Sequence, residues 1–481
     1  MQTLNKNTAP KRTYTEKVIQ IGEGNFLRAF VEWIIQKTNQ KTDFNASVVV
    51  VQPRAGGKVA MLNAQDCLYH VNLQGLGDDG KPVDTVELID VISRGIDPYE
   101  DFDAFLKLAE QPEIRFVVSN TTEAGIYFDP SEKFWDKPVA SYPGKLVQLL
   151  YRRYRHFHKD ADDKGLIILP CELIFQNGDK LRRCIDDYID YWDLGPDFWA
   201  WVRTCCHVYN TLVDRIVPGF PKDNADAVKE RIGYDDNQIV VGEVYHLWVI
   251  EAPESLSDEF PVDKAGLNVK FVPSEAPYHE RKVTLLNGPH TVLSPVGYLS
   301  GLDTVRECCE DALVGRFIDK VMYKELLPTL KLPKRELKKF ADDVKNRFKN
   351  PYVKHFVTSI MLNSFPKFKT RDLPSLKVYL KRKGELPKCI VLGLAAICTY
   401  YKGGMRGTDQ ITPNDAPEIL SLLQTLWATG NCAEVANGVL GAKDLIWGED
   451  LNQIQGLTAM LTEFLEKIQK DGMRSAVEMV L

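Results

Sequence analysis

Three polar side chains, Lys282, Asn287 and His290, stand among apolar residues in the run Tyr278-His279-Glu280-Arg281-Lys282-Val283-Thr284-Leu285-Leu286-Asn287-Gly288-Pro289-His290. An amine, an amide and an imidazole in one place can move a proton, stabilise a developing oxyanion and orient an alcohol or a carbonyl. At about 100° per residue on an α-helix, Asn287 lies about 140° round from Lys282 with His290 between them, so all three can face one cleft. The spacing alone equally fits a surface lysine, a helix-capping asparagine and a satisfied core histidine, and taken by itself it favours that plainer set.

A second group of residues suits a phosphate. An apolar strand ends at Ile21 and runs into Gly22-Glu23-Gly24-Asn25-Phe26-Leu27-Arg28-Ala29, after which the pattern turns helical. A strand, a glycine turn and a helix let backbone N–H groups approach a pyrophosphate, with Gly22 and Gly24 removing the side chains that would block it. Ile21, Gly22, Gly24, Asn25 and Phe26 are therefore candidate cofactor contacts. The third glycine of the common G-x-G-x-x-G pattern is Leu27 here, and a purely structural turn explains the motif about as well. The next strand ends in Gln52-Pro53-Arg54 rather than in the acidic residue that often holds a ribose. Because Arg54 can meet a 2′-phosphate, the residues leave NAD and NADP both open. A later strand end, Asn120-Thr121-Thr122, places small polar groups where a nicotinamide ring would sit.

These groups need elements to position them. Of the 481 residues 44% are hydrophobic and 26% charged, which supports two or three folded domains and excludes a disordered or fibrous chain. Up to about residue 280, strand-like runs alternate with amphipathic helices: Lys17–Ile21, Ser47–Gln52, Phe116–Ser119, Leu166–Leu169, Gln238–Val241 and Tyr245–Ile250 read as strands. Beyond Tyr278 only helical periodicity remains. The expected fold is α/β: a Rossmann-type, largely parallel sheet in residues 1–277, followed by an all-α domain in residues 278–481. A net charge of −6 with no dominant basic cluster gives no footprint for nucleic acid. No apolar run is long enough for a membrane span, and the N-terminus lacks a signal-peptide core, so a cytoplasmic protein is expected. Ten scattered cysteines without C-x-x-C read as reduced thiols. His156 and His158 lack a third ligand at usable spacing, and no bound metal is expected.

The pattern K-x-x-x-x-N-x-x-H over 282–290, together with the G-x-G-N-F-x-R-A turn, resembles the polyol-specific long-chain dehydrogenases, the mannitol dehydrogenase family. Further resembling blocks run from end to end: FVVSNTTEAGI, LPCELI with Asn177-Gly178-Asp179, TLVDRIVPGFP, RFKNPY and KFKTRDLPSL. The resemblance implies a Rossmann-type first domain, a helical second domain, and zinc-independent hydride transfer with NAD as cofactor. It assigns Lys282 as the acid/base, Asn287 as the donor to the reacting oxygen and His290 as a substrate contact. It also points to a hexuronate and its aldonate as the small-molecule substrate pair. Another hexuronate reductase or a mannitol-type polyol 2-dehydrogenase are the nearby alternatives, and a non-catalytic nucleotide-binding regulator is the alternative of a different class.

Some positions depart from the family pattern. Where many members carry S-C-D-N or S-C-E-N, this chain has Pro170-Cys171-Glu172-Leu173, so either Asn287 acts with one fewer partner or a nearby donor such as Asn177 substitutes. His279 replaces the acidic residue expected three positions before the lysine, which leaves the proton route open. Asp214 matches a substrate-side aspartate, with a plain ion pair to Arg215 as the alternative. A uronate brings a carboxylate that needs fixed positive charge, for which Lys367 and Arg371 are the candidate substrate-binding residues, a solvated basic loop being the alternative. Self-association is not decided by the sequence.

Overall fold

The structure, a computed structural model, describes residues 1–77 and 79–481. The chain divides into two compact units, Met1–Gly75 with Val83–Glu275 and Leu76–Pro82 with Ala276–Leu481.

The first unit is built on a six-stranded sheet of β1 (Thr15–Ile21), β2 (Ala46–Val51), β3 (Ile92–Ile96), β4 (Phe116–Ser119), β5 (Ile167–Pro170) and β6 (His207–Val208). Their order across the sheet is β3-β2-β1-β4-β5-β6, and every described pairing is parallel. This is the order of dinucleotide-binding sheets, with the switch point between β1 and β4. The valines of β2 show why such strands read as unbroken apolar runs. Val48 and Val50 enter one core cluster with Phe30 and Trp248, while Val49 and Val51 enter another with Leu146 and Ile185. Both faces of the sheet are covered, so successive residues are buried on opposite sides.

The sequence reading missed β3, whose Ser93, Arg94 and Gly95 look unlike a core strand because it lies at the sheet edge. It also missed the strands Tyr69–Leu76 and Pro82–Ile89, which form a small sheet with Val240–Glu243. A third sheet joins Thr211–Asp214, Leu247–Glu251 and Val269–Val272.

The second unit is helical, as expected, and among its helices carries one small hairpin, Gly404–Arg406 with Asp409–Ile411. Its centre is the pair of helices Gly288–Leu299 and Lys388–Tyr400, each buried along most of its length. They meet closely at Gly393, where a Cβ would fall 2.5 Å from the Cβ of Val292. Among the described residues no helix is long and apolar enough to cross a membrane, and no group of three His, Cys, Asp or Glu side chains could hold a metal ion.

Candidate active site

In the first unit the candidate cofactor residues gather at the carboxyl ends of the central strands. Gly22 leaves β1 with φ +124°, its N–H donating to Val51 O, while Asn120 N–H donates to Ile21 O. A Cβ on Gly22 would sit 3.0 Å from Asn120 O, so this close crossing at the switch point requires glycine on both conformational and steric grounds. At Gly24 no heavy atom lies within 4 Å of where a Cβ would be, which leaves that face of the turn open. Asn25–Leu27, a π-helical turn Arg28–Glu32 and Trp33–Lys41 follow without a break. A crowded first glycine and an open second one fit a pyrophosphate lying against the turn. Asn25 is exposed and accepts a hydrogen bond from Arg28 (2.6 Å), and Phe26 stacks on Phe30 (5.0 Å between centroids).

Two residues at the end of β2 differ in availability. The Gln52 side chain is buried and spent, accepting from Val59 N–H (3.2 Å) and donating to Asp97 (2.7 Å), so it presents no free group to a ribose. Arg54 is exposed. At the end of β4, the buried Glu172 carboxylate accepts from Ser119 Oγ (3.1 Å), Thr121 N–H (2.9 Å) and Thr121 Oγ1 (2.9 Å), clamping this loop to β5. Asn120 donates to Cys171 O (2.7 Å). Thr122 has φ +81°, a left-handed conformation that a β-branched residue adopts only under constraint from its surroundings.

The structure excludes Asn177 as a stand-in for the missing asparagine at 173. Leu173 is 60% exposed. Asn177 is fully buried and fully engaged: it donates to Pro170 O, Glu172 O and Thr211 O, and accepts from the N–H groups of Gly178 and Thr211. No donor is left on it for a reacting oxygen. Asp214 is buried at the end of its strand. Its neighbour Arg215 is committed to the carbonyls of Ala29, Glu243, Val244 and Tyr245 and stacks over Trp33 (4.2 Å).

In the second unit, Lys282 ends the helix Ala276–Lys282, a π-helical turn spans Val283–Asn287, and the helix Gly288–Leu299 follows. The Gly288 N–H donates to Val283 O, five residues back. A π turn advances by roughly 80° per residue, which puts Asn287 about 50° from Lys282 rather than the 140° of an α-helix. Three α-helical steps then bring His290 within about 60° of both. Lys282 and Asn287 are half-buried, and the Asn287 side chain makes no hydrogen bond among the described residues. Burial and the nearby Lys282 charge lower the pKa of His279.

His290 sits in a cationic neighbourhood. Its ring packs on Phe348 (4.2 Å between centroids) and edge-on against His355 (5.1 Å). Burial, then His355, Arg347 and Arg371, push it well below the ordinary imidazole value, so it is neutral. Its Nε2 is shut from solvent with no hydrogen-bond partner, an atom waiting for a polar group. Arg371, on the helix Ser364–Arg371, donates to Thr291 Oγ1 (3.2 Å), one residue beyond His290. Lys367 lies one turn earlier on the same helix and donates to Ile360 O (2.8 Å). Burial and the Arg371 charge lower its pKa. The structure thus brings Lys282, Asn287, His290 and Arg371 into one neighbourhood, with Lys367 beside it.

Residues 16–264 match the mannitol dehydrogenase Rossmann domain and residues 276–469 the mannitol dehydrogenase C-terminal domain. The chain belongs to the mannitol dehydrogenase family. It is 65% identical to an altronate oxidoreductase of Phocaeicola vulgatus, with all of both chains covered. An altronate oxidoreductase of Bacillus subtilis is 46% identical over 99% of this chain and 98% of its own. In fold the chain is similar to a substrate-free D-sorbitol dehydrogenase (TM-score 0.83, 21% identity, 99% and 100% covered). It is also similar to a Pseudomonas fluorescens mannitol 2-dehydrogenase in ternary complex with NAD and D-mannitol (TM-score 0.66, 21% identity, 100% and 99% covered).

Proposed function

We propose that this chain is an NAD-dependent oxidoreductase that interconverts D-tagaturonate and D-altronate, a step of hexuronate breakdown in the cytoplasm. The observation that carries the reading is Arg371 held against Thr291, beside His290 and the Lys282–Asn287 pair. A neutral polyol offers a half-buried guanidinium there only hydroxyl acceptors, whereas a uronate carboxylate pairs with its charge as well. Full-length relatives named altronate oxidoreductase support the same substrate pair.

When bound in the Gly22–Gly24 cradle, the dinucleotide supplies the hydride. The residues of the chain do the rest. As the ketone is reduced, the Lys282 ammonium gives a proton to the carbonyl oxygen, and in the reverse direction its amine takes the hydroxyl proton back. The Asn287 amide donates to the same oxygen as negative charge develops on it. With Leu173 in place of the family asparagine and Asn177 committed elsewhere, Asn287 acts as the single amide donor. Neutral His290 offers Nε2 to a substrate hydroxyl, and Arg371 with Lys367 holds the carboxylate.

The test follows NADH consumption by purified protein with D-tagaturonate, D-fructuronate and D-fructose side by side, repeated with NADPH. Fast turnover of tagaturonate with NADH is the expected result. Preference for fructuronate or fructose moves the substrate, preference for NADPH moves the cofactor to a role for Arg54, and no turnover with any of them overturns the reading.

A further inference from the structure

Beneath the glycine turn lies a buried polar network that a purely apolar core would not contain. Gln20, inside β1, and Glu32, in the π-helical turn Arg28–Glu32, are both fully buried. A single amide nitrogen, Nε2 of Gln20, donates to Gly22 O (2.8 Å) and to Glu32 Oε1 (2.8 Å). The same helical turn is held from its other side. Tyr69 donates to Arg28 O (2.9 Å), and the Arg28 guanidinium donates to Gln238 O (2.7 Å) and Asn25 Oδ1 (2.6 Å).

We propose that Glu32 is a positioning residue for the dinucleotide turn, acting through Gln20 to set the direction of the Gly22–Glu23 peptide and with it the N–H offered to a pyrophosphate. In a planar trans peptide the C=O and the following N–H point in opposite directions. With Gly22 O drawn inward onto Gln20, the Glu23 N–H points away from the core. Gly22, at φ +124°, has no Cβ to resist a flip of this peptide, so a tether must choose its orientation. Gln20 alone is ambiguous, since its amide can present oxygen or nitrogen to Gly22. When ionised, the Glu32 carboxylate resolves the ambiguity, because as an acceptor it requires the nitrogen between itself and Gly22 O.

The cost of the arrangement is visible. Glu32 Oε2, Gln20 Oε1 and Arg28 Nε are buried without partners, and burial raises the Glu32 carboxyl to about 7 against the lowering effect of Gln20. Replacing such a pair by apolar side chains of the same shape can be nearly neutral for a fold, so stability by itself does not call for it. The network therefore serves the turn.

This inference depends on the proposed cofactor, and the experiment separates the two. NADH binding to the full-length protein is measured by fluorescence titration, alongside thermal melting, for wild type, Glu32→Ala, Glu32→Gln, Gln20→Met and the double variant Gln20→Met/Glu32→Ala. Glu32→Ala and Gln20→Met should each weaken NADH binding about tenfold and raise the KM for NADH more than they lower kcat. Glu32→Gln can still accept from Gln20 Nε2 but can also donate to Gln20 Oε1, so it should recover only part of the loss and bind NADH more tightly than Glu32→Ala but less tightly than wild type. The double variant should bind no worse than the weaker single one, as expected of two members of one tether. Should Glu32→Ala fail to fold, Gln20→Met and Glu32→Gln still give distinct expectations, about a tenfold loss for the first and a smaller loss for the second. Wild-type affinity in Gln20→Met, equal weakness in Glu32→Ala and Glu32→Gln, or additive losses in the double variant would each overturn the proposal. A wild-type protein that does not bind NADH overturns the cofactor reading, and this proposal with it.

Discussion

Lys282 and Asn287 bracket a π-helical turn, Val283–Asn287, whose Gly288 N–H reaches back five residues to Val283 O. The turn narrows the arc between the two side chains from about 140° to about 50°, so that an amine and an amide stand side by side on one helix face. This placement underlies the first expectation, that Lys282→Ala lowers kcat by about three orders of magnitude and Asn287→Ala by about two to three. NADH affinity, measured separately, should stay close to wild type in both. Either variant retaining most of its turnover would remove that residue from the chemistry.

Arg371 tests substrate class rather than chemistry. Losing a charge-assisted bond to a carboxylate costs about 1.5–3 kcal/mol, so Arg371→Ala should raise the KM for a uronate roughly 10- to 100-fold. The KM for an uncharged ketose should change much less. Equal changes for both would show that Arg371 only supports Thr291.

Asn177 distinguishes a structural amide from a catalytic one. Replacing it by Ala leaves the buried Thr211 N–H without its acceptor and takes one donor from each of Pro170 O and Glu172 O, which keep Thr211 Oγ1 and the Ile174 N–H, and we expect a loss of roughly 2–3 kcal/mol in stability. Denaturant unfolding reads this directly. Leu173→Asn restores the family residue at an exposed position and should leave stability within about 0.5 kcal/mol of wild type. A large gain in kcat for Leu173→Asn would show that the second donor had been missing rather than dispensable.

Acid should destabilise the fold partly through His246. Burial, then the Arg215 charge, push this imidazole down to about 4, and its ring is held neutral by accepting from Asn268 N–H (3.1 Å). Because the folded value lies below the unfolded one of 6.5, the unfolded chain takes up a proton that the fold refuses. Its contribution is complete above pH 6.5 and is lost as pH falls toward 4, by up to about 3 kcal/mol. Glu275, raised by burial to about 7, acts in the opposite sense, its folded carboxyl holding a proton that the unfolded chain releases above 4.5. The informative quantity is therefore the difference between wild type and His246→Phe. The variant should lose less stability than wild type between pH 6.5 and 4, and parallel curves would disprove the assignment. His290 is neutral for similar reasons, so the pH profile of kcat/KM should show no limb from this residue at the ordinary imidazole value.

Much of the molecule was legible because its signals are local. The run Val48–Val51 announces a strand buried on both faces, the glycines at 22 and 24 announce a tight turn from strand to helix, and Lys282, Asn287 and His290 fall close together on one helical stretch. These follow from side-chain periodicity and backbone freedom, which neighbouring residues set among themselves. The edge strand Ile92–Ile96 was not legible, because its polar residues are tolerated only by its place at the rim of the sheet. Nor was the π turn, since no residue type encodes it. The availability of polar groups belonged to tertiary structure alone. Asn177 and Gln52 look as free in the sequence as Asn287, yet the first two are consumed by partners such as Thr211 and Asp97, while Asn287 is left open. Arg371 meets Thr291 across 80 residues of chain. The sequence determined which groups exist and which elements carry them. Only the folded chain decided which of their hydrogen-bonding atoms remain unspent, because a buried polar atom takes whichever partner the packing of distant segments brings within reach.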